Sequence, residues 1–493
     1  MQLLIDTLPT WLAIVIILID YSIKIAAIGI VPENRRPGSS TGWLMLILFL
    51  PIVGIPAFLM FGSPYVNDRR RRIQAQANEM LKNGTDDVPD WPDTLHPSEN
   101  IGSLIRLNRN LTFLPMVDGL NHGVTMNYED SIQRMADIVN GAQEYVHAEI
   151  YICAWDGTTD VFFRALEDAA ARGVTVRLLF DHLGSRKYPG FKRMGKKLTA
   201  AGIDWHLMLP FQPLRGRLRR VDLRNHRKLV VVDGQRAIMG SQNMIDSSYL
   251  AKKNIRIGRH WNDITVELTG QIVTELEAVF ATDWYSEAGE ELGIQQYRVP
   301  EDDDPALGGA ENALQLIPSG PGFQTEPNLR FFTAMINAAQ ERVRIVSPYF
   351  IPDESLLAAI ITASHRDVRV ELYVGEQADQ FLVDHAQSSY YEMLLDAGVH
   401  ILRYPKPAVL HTKCFTIDDT YGVMGSSNMD MRSFGLNYEI SLFAMDGDIV
   451  PALTEVIDTY AAKSTELTRA EWEQRSLGRR YVDSVCRLTS ALM

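Results

Sequence analysis

The sequence NHRKLVVVDGQRAIMGSQN, residues 225–243, returns later in the chain as LHTKCFTIDDTYGVMGSSN, residues 410–428. Aligned on their histidines, His226 and His411, both copies carry Lys at +2 (Lys228, Lys413) and Asp at +7 (Asp233, Asp418). Gly-Ser follows at +14 and +15 (Gly240-Ser241, Gly425-Ser426) and Asn at +17 (Asn243, Asn428). If each charged residue type makes up roughly 6% of a chain, the 11 histidines here supply on the order of 0.04 chance matches to His-x-Lys-x4-Asp. Two matches with the same trailing residues are a duplication. Within the first copy, the runs 228–232 and 236–239 flank an Asp-Gly pair, a strong hairpin signal.

Outward from the motif, two similar halves emerge. Helical patterns EDSIQRMADIVNGAQ and NLRFFTAMINAAQER each precede an apolar strand, VHAEIYICAW and VRIVSPYF. A second helix and strand follow in each, DVFFRALEDAAARG-VTVRLLF and ESLLAAIITASHRD-VRVELYV. An Ala-Gly helix end then opens a third strand, AAGIDWHLM at 200–208 and DAGVHILRY at 396–404. Helices alternating with short β-branched strands predict an α/β fold of two pseudo-symmetric α/β/α halves with a mixed or largely parallel sheet. The expected boundaries are a linker at 73–112, a first half at 113–300, a linker at 301–318, and a second half with C-terminal helices at 319–493.

The halves are not identical. They lie 196 residues apart at the Ala-Gly pair but 185 apart at the histidines, so the first holds an insertion between these points. It falls in LPFQPLRGRLRRVDLRN, whose Arg215, Arg217, Arg219 and Arg220 are candidate contacts for an anionic lipid headgroup. One decoy, Gly190-FKRM-Gly195-Lys196, resembles a phosphate-binding loop, yet Lys197 stands where a Ser or Thr would hold Mg²⁺. It reads as a basic surface helix.

Composition bounds the rest. A length of 493 residues predicts two to three domains. A net charge of −13 supplies no global field for nucleic acid. Three scattered cysteines, Cys153, Cys414 and Cys486, form neither a disulfide framework nor a zinc site. Residues 1–72 differ in kind. The apolar runs at about 8–31 and 43–61 are each long enough for a bilayer core of about 30 Å, and a polar turn joins them. They predict a transmembrane helical hairpin, with Pro51, Gly54 and Pro56 compatible with a kinked or re-entrant second arm. Arg69 to Arg72 just beyond it favour a cytoplasmic catalytic part and a multi-pass protein of the cell membrane. The same run could hold the following domain against anionic headgroups.

On these features the chain resembles the phospholipase D superfamily with two HKD motifs, and more closely its bacterial cardiolipin synthase branch. Supporting stretches are DLRNHRK at 222–228, SGPGF at 319–323, SPYFIP at 347–352, NMDMRSFGLNYE at 428–439 and the N-terminal hairpin. The resemblance implies an active site between the halves, with His226 as nucleophile and His411 as general acid/base. It implies transfer of a phosphatidyl group from one phosphatidylglycerol to another, giving cardiolipin and glycerol through a phosphatidyl-histidine. A phospholipase D-type hydrolase, or a phosphatidyltransferase with another donor or alcohol, would use the same residues. A nuclease is disfavoured by the hairpin and the charge.

The residues suit that chemistry. Histidine can attack phosphorus near neutral pH and leave again, and a second histidine can shuttle the proton. Lys228 and Lys413 can neutralise the phosphoryl oxygens, with Asn243 and Asn428 as neutral donors. Each imidazole needs an orienting acid, and Asp263 (+37 from His226) and Glu439 (+28 from His411) are the candidates. Ser241 and Ser426 are grouped with these supporting residues. Asp233 and Asp418 complete the catalytic motif, and the resemblance implies that they act more in support than in chemistry. No metal, nucleotide or other cofactor is expected; the expected partners are phosphatidylglycerol, cardiolipin and an anionic membrane, with homo-oligomerisation left open.

Overall fold

In strand Lys228–Val232 every residue is buried, with Leu229 and Val231 packed on one face of the sheet and Val230 and Val232 on the other. That alternation is what a pleated strand imposes, and cover on both faces explains why the motif reads as an unbroken apolar run. The computed structural model describes residues 9–33, 37–62, 68–211, 220–293, 311–323, 325–488 and 490. By their contacts they divide into two units: Met1–Asp68 with Phe211–Asp222, and Arg69–Pro210 with Leu223–Met493.

Among the described residues, the larger unit is built on one mixed sheet of 16 strands. Its central seam is an antiparallel pair, Val117–Thr125 against Glu311–Ser319. From there the halves repeat outward, strand for strand. Thr265–Gly270 and Asn437–Met445 come first, then the motif hairpins Arg236–Gly240/Lys228–Val232 and Tyr421–Gly425/Cys414–Ile417. Tyr145–Ile150 and Arg342–Val346 follow, and beyond them the parallel pairs Thr175–Asp181/Asp204–Met208 and Arg369–Gly375/His400–Tyr404. Among the described residues, only the second half adds an edge strand, Thr465–Leu467.

Helices fill the outer layers. Tyr128–Asn140 and Asp160–Ala171 cover one half; Pro327–Ala338 and Glu354–His365 cover the other. Ile272–Ala288 and Ile449–Ala461 share an apolar cluster with strands of both halves. Local chemistry starts them: Asn127 accepts from the amides of Glu129 and Asp130, and Asp353 from that of Ser355, satisfying donors a helix end leaves free.

Two expected linkers are corrected. The stretch 73–112 is helical over Asp68–Thr85 and Glu99–Thr112, and Ile101, Leu104 and Ile105 enter the core. The stretch 301–318 overlaps the central strand Glu311–Ser319, buried from Asn312 on. Polar composition concealed both, because each buries only one face or one short run. The Gly190 segment caps a ten-residue helix, Phe191–Ala200, as the basic-helix reading expects.

In the smaller unit, helix Thr10–Ile30 has 21 residues and is apolar and long enough to cross a membrane. Asp20 and Lys24 pair on it at 2.7 Å, one helical turn apart. The second run does not make the single helix expected over about 43–61. It forms Pro37–Phe49, then Pro51–Ala57, then a π-helical turn Phe58–Gly62. The break is at Leu50, non-helical at φ −133° and ψ 64°, because the proline that follows disfavours helix there. The chain doubles back: a Cβ on Gly54 would lie 2.6 Å from the Leu46 carbonyl oxygen. A single spanning helix is therefore described, with a broken apolar pair after it.

Candidate active site

The motif glycines decide how closely the strands approach. A Cβ on Gly240 would stand 2.2 Å from the Ile264 carbonyl oxygen, and one on Gly425 2.3 Å from that of Ile440. Only a residue without Cβ lets the motif strand meet its neighbour so tightly. The amides of Ser241 and Ser426 bond those same two carbonyls at 2.9 Å. Their hydroxyls then reach the acids: Ser241 donates to Asp263 at 2.6 Å and Ser426 to Glu439 at 2.5 Å. Thus Gly-Ser is a hook that fixes the acid of its own half.

Each acid, however, holds the histidine of the other half. His226 Nδ1 lies 3.0 Å from Glu439 and 2.9 Å from the Ser426 carbonyl oxygen. His411 Nδ1 lies 2.7 Å from Asp263. The expected pairing within each copy is corrected to an exchange. Two short cross-half strand pairings cause it: Arg224–Asn225 runs beside Asn437–Tyr438, and Val409–Leu410 beside Trp261–Asn262. The His226 amide bonds the Tyr438 carbonyl, and the His411 amide that of Asn262, both at 2.8 Å.

Both histidines, Asn243 and Asn428 line one cavity of about 870 Å³, with Tyr151, Lys187, Tyr249 and Asp379 among its other walls. A carbonyl oxygen can only accept, so His226 Nδ1 carries the proton and, in the neutral ring, Nε2 keeps the lone pair. Burial, then the charges of Lys228, Lys413 and His411, hold the His226 pKa well below its ordinary value. His411 is also lowered, first by burial, with Asp263 pulling the other way. Burial raises the Glu439 carboxyl to about 7, despite Lys228. Burial acts the same way on Asp263, but His411, Lys413 and Ser241 outweigh it and leave it lowered. Burial also depresses both lysines, Lys413 to about 8 and Lys228 well below 10.5. Each ammonium donates to the carbonyl of its own motif histidine, at 2.5 Å from Lys228 and 2.6 Å from Lys413.

Other expected residues sit elsewhere or act differently. Asp233 accepts the amides of Gln143, Glu144 and Tyr145 at 2.8–2.9 Å, and Asp418 those of Gln340, Glu341 and Arg342. They lock the helix-to-strand turn at the far end of the motif strand, so placing them with the catalytic groups is corrected. Asn243 is partly engaged: its Oδ1 accepts the Ile152 amide at 3.1 Å and its Nδ2 gives one hydrogen to Tyr249 at 2.7 Å. The Asn428 Oδ1 is buried without a partner among the described residues. Arg215, Arg217 and Arg219 lie outside the described residues, while Arg220 donates to Asp222 at 2.9 Å. In the run 69–72, Arg70 is not a headgroup contact; it is buried, paired with Glu287 at 3.2 Å and packed over the Tyr438 ring.

A buried polar frame around His226 escaped sequence reasoning. Arg224 pairs with Asp181 at 3.2 Å, Asn225 donates to Glu149 at 2.6 Å, and Arg227 pairs with Asp283 and donates to the Glu439 carbonyl at 3.0 Å. The density of polar residues in 222–228 was the available signal; its three acidic partners stand 43 to 76 residues away and carry none.

Known proteins bear on this arrangement. A family model described as "Cardiolipin synthase, PLD-like domain" matches residues 135–284 and 332–460, and "Phospholipase_D-nuclease N-terminal" matches 10–63. The chain is 33% identical to cardiolipin synthase A of Proteus mirabilis over 93% of its length and 94% of that protein's. It is 31% identical to a cardiolipin synthase of Geobacillus thermodenitrificans, covering 98% and 94%. Among solved structures, a phosphatidylserine synthase of Haemophilus influenzae superposes with a TM-score of 0.58 at 14% identity, over 79% of this chain and all of that one. That likeness concerns the fold.

Two outcomes are expected of the geometry. Glu439→Gln should move the imidazole ¹⁵N resonances of His226 and spare those of His411, with Asp263→Asn doing the reverse; pairing within halves would invert the result. In addition, kcat/KM should fall as pH rises, first as His411, lowered from its ordinary value in the free enzyme, loses its proton and then again through about 8 as Lys413 does; Lys413→Arg should remove only the second step.

Proposed function

The chain belongs to the PLD-like cardiolipin synthases, phosphatidyltransferases of the phospholipase D superfamily, and from that premise we propose how its residues carry the transfer. The observation that carries the proposal is His226 Nδ1 held against two acceptors, which leaves Nε2 with the lone pair. His226 Nε2 attacks the phosphorus of one phosphatidylglycerol while the phosphorus–oxygen bond to glycerol breaks. His411 gives its Nε2 proton to the leaving oxygen. The arriving phosphodiester anion offsets the ammoniums that depress His411, so the ring is charged when the proton is needed.

The phosphatidyl-histidine then meets the terminal hydroxyl of a second phosphatidylglycerol. His411 takes that hydroxyl's proton as oxygen attacks phosphorus and the phosphorus–nitrogen bond breaks. Cardiolipin leaves, both imidazoles return to their starting states, and one diester has replaced another. Lys228 and Lys413 face the charge on the phosphoryl oxygens. Burial makes each ammonium costly alone and strengthens its attraction to an anionic substrate.

The two acids differ in a way that favours this order of roles. Asp263, lowered, stays ionised and supports a positive His411 through Nδ1. Glu439, raised to about 7, supports a neutral His226. The nucleophile and the acid are thus set apart by environment.

Purified protein given labelled phosphatidylglycerol should release cardiolipin and glycerol in equal amounts, with no phosphatidic acid. His226→Ala and His411→Ala should each abolish this. With an analogue whose leaving group needs no proton, His411→Ala should accumulate label on His226; label on residue 411 in His226→Ala would reverse the roles. Phosphatidic acid as main product would indicate a hydrolase.

We also propose that the catalytic part faces the cytoplasm, on the arginine excess after the apolar runs. A Lys463→Cys variant should react with a membrane-impermeant thiol reagent in inverted vesicles and not in intact cells; labelling in intact cells would reverse the orientation.

A further inference from the structure

The C-terminal helix Leu477–Arg487 presents an apolar stripe to solvent. Leu477 (81% exposed), Tyr481 (71%), Val485 (43%) and, just past the helix, Leu488 (84%) recur at the spacing of one helical face. Its inner face is occupied: Asp483 bonds His385 at 2.6 Å, and Cys486 is buried. The helix lies along Phe381–Asp396 in the same direction, with Arg479 3.6 Å from Asp384 and Arg487 stacked over Tyr390. At the start of that second helix Phe381 and Leu382 are exposed, and Leu382 lines the catalytic cavity.

The opposite lip repeats the feature. Leu250, Ala251 and Asn254 line the cavity from the first half. The short helix Lys252–Ile257 beside them exposes Ile255 and Ile257, together with Lys252, Lys253 and Arg256. Three adjacent cations at the mouth of a protein of net charge −13 mark this lip for an anionic surface.

The cavity's size supplies the reason. About 870 Å³ is the scale of a pocket for a drug-sized ligand, room for headgroups and not for the four acyl chains of two lipids. Those chains must stay in the bilayer while the phosphates react. We propose that the two lips form a membrane-docking face that inserts into the headgroup–acyl boundary of an anionic bilayer and opens the cavity directly onto it. The stripe Leu477–Leu488 with Phe381 and Leu382 enters as an interfacial helix does, and the basic lip meets the headgroups. The proposal rests on the reading of the substrates as membrane lipids.

The test uses the full chain in phosphatidylglycerol proteoliposomes. Leu477 and Leu488 are exposed, so Leu477→Ser/Leu488→Ser leaves the core untouched. That variant should lose about tenfold or more of its activity on bilayer phosphatidylglycerol and keep its activity on dispersed short-chain phosphatidylglycerol. The described cysteines are all buried, so Leu488→Cys can carry an environment-sensitive dye, which nitroxides on lipid tails should quench. Unchanged bilayer activity, equal loss on both substrates, an unquenched dye, or a dye shielded by a second copy of the chain would each overturn the docking face. A quenched dye on a protein that makes no cardiolipin would uphold docking and refute the reaction.

Discussion

Two imidazoles must share one small site, each free to use Nε2 and unable to turn. That requirement organises the larger unit. An imidazole is fixed when Nδ1 is tied to an acid, and the acid is fixed when something holds it in turn. Here the chain of support runs from a glycine that admits a strand, to a serine hydroxyl, to a carboxylate, to a histidine in the other half. Burying two ammoniums and two acids costs several kcal/mol per ion unless each is paired and hydrogen-bonded. The acids meet that need with a histidine and a serine each, and the ammoniums with the carbonyl of their own motif histidine.

Sequence periodicity carried the halves and the motif hairpins, because these depend on neighbours within a few residues. It could not carry the exchange of acids. Asp263 and Glu439 were visible as candidates, but chain distance assigns each to its own half, and only the pairing of Arg224–Asn225 with Asn437–Tyr438 reverses that. The same limit hid the Glu149, Asp181 and Asp283 frame. The motif aspartates, grouped with the catalytic motif but expected to act more in support than in chemistry, each accept three backbone amides and lock a turn. In the apolar N-terminus, hydropathy measured length correctly but not continuity, since Pro51 and Gly54 change direction without adding polarity.

The halves are symmetric in backbone and unequal in electrostatics. His226 has two acceptors at Nδ1 and His411 one. A glutamate stands where the other half has an aspartate, and burial raises Glu439 while Asp263 is left lowered. A duplicated fold thereby yields two different acid–base partners with little change in shape.

The crossing of acids also makes the site indivisible. Separated between the halves, the chain would give two pieces that each keep a histidine, a lysine and a serine hook, yet each would hold the carboxylate that the other's imidazole needs. A substitution at residue 439 is felt at 226, and one at 263 is felt at 411. Neither half can drift on its own account; the pair is inherited as one unit.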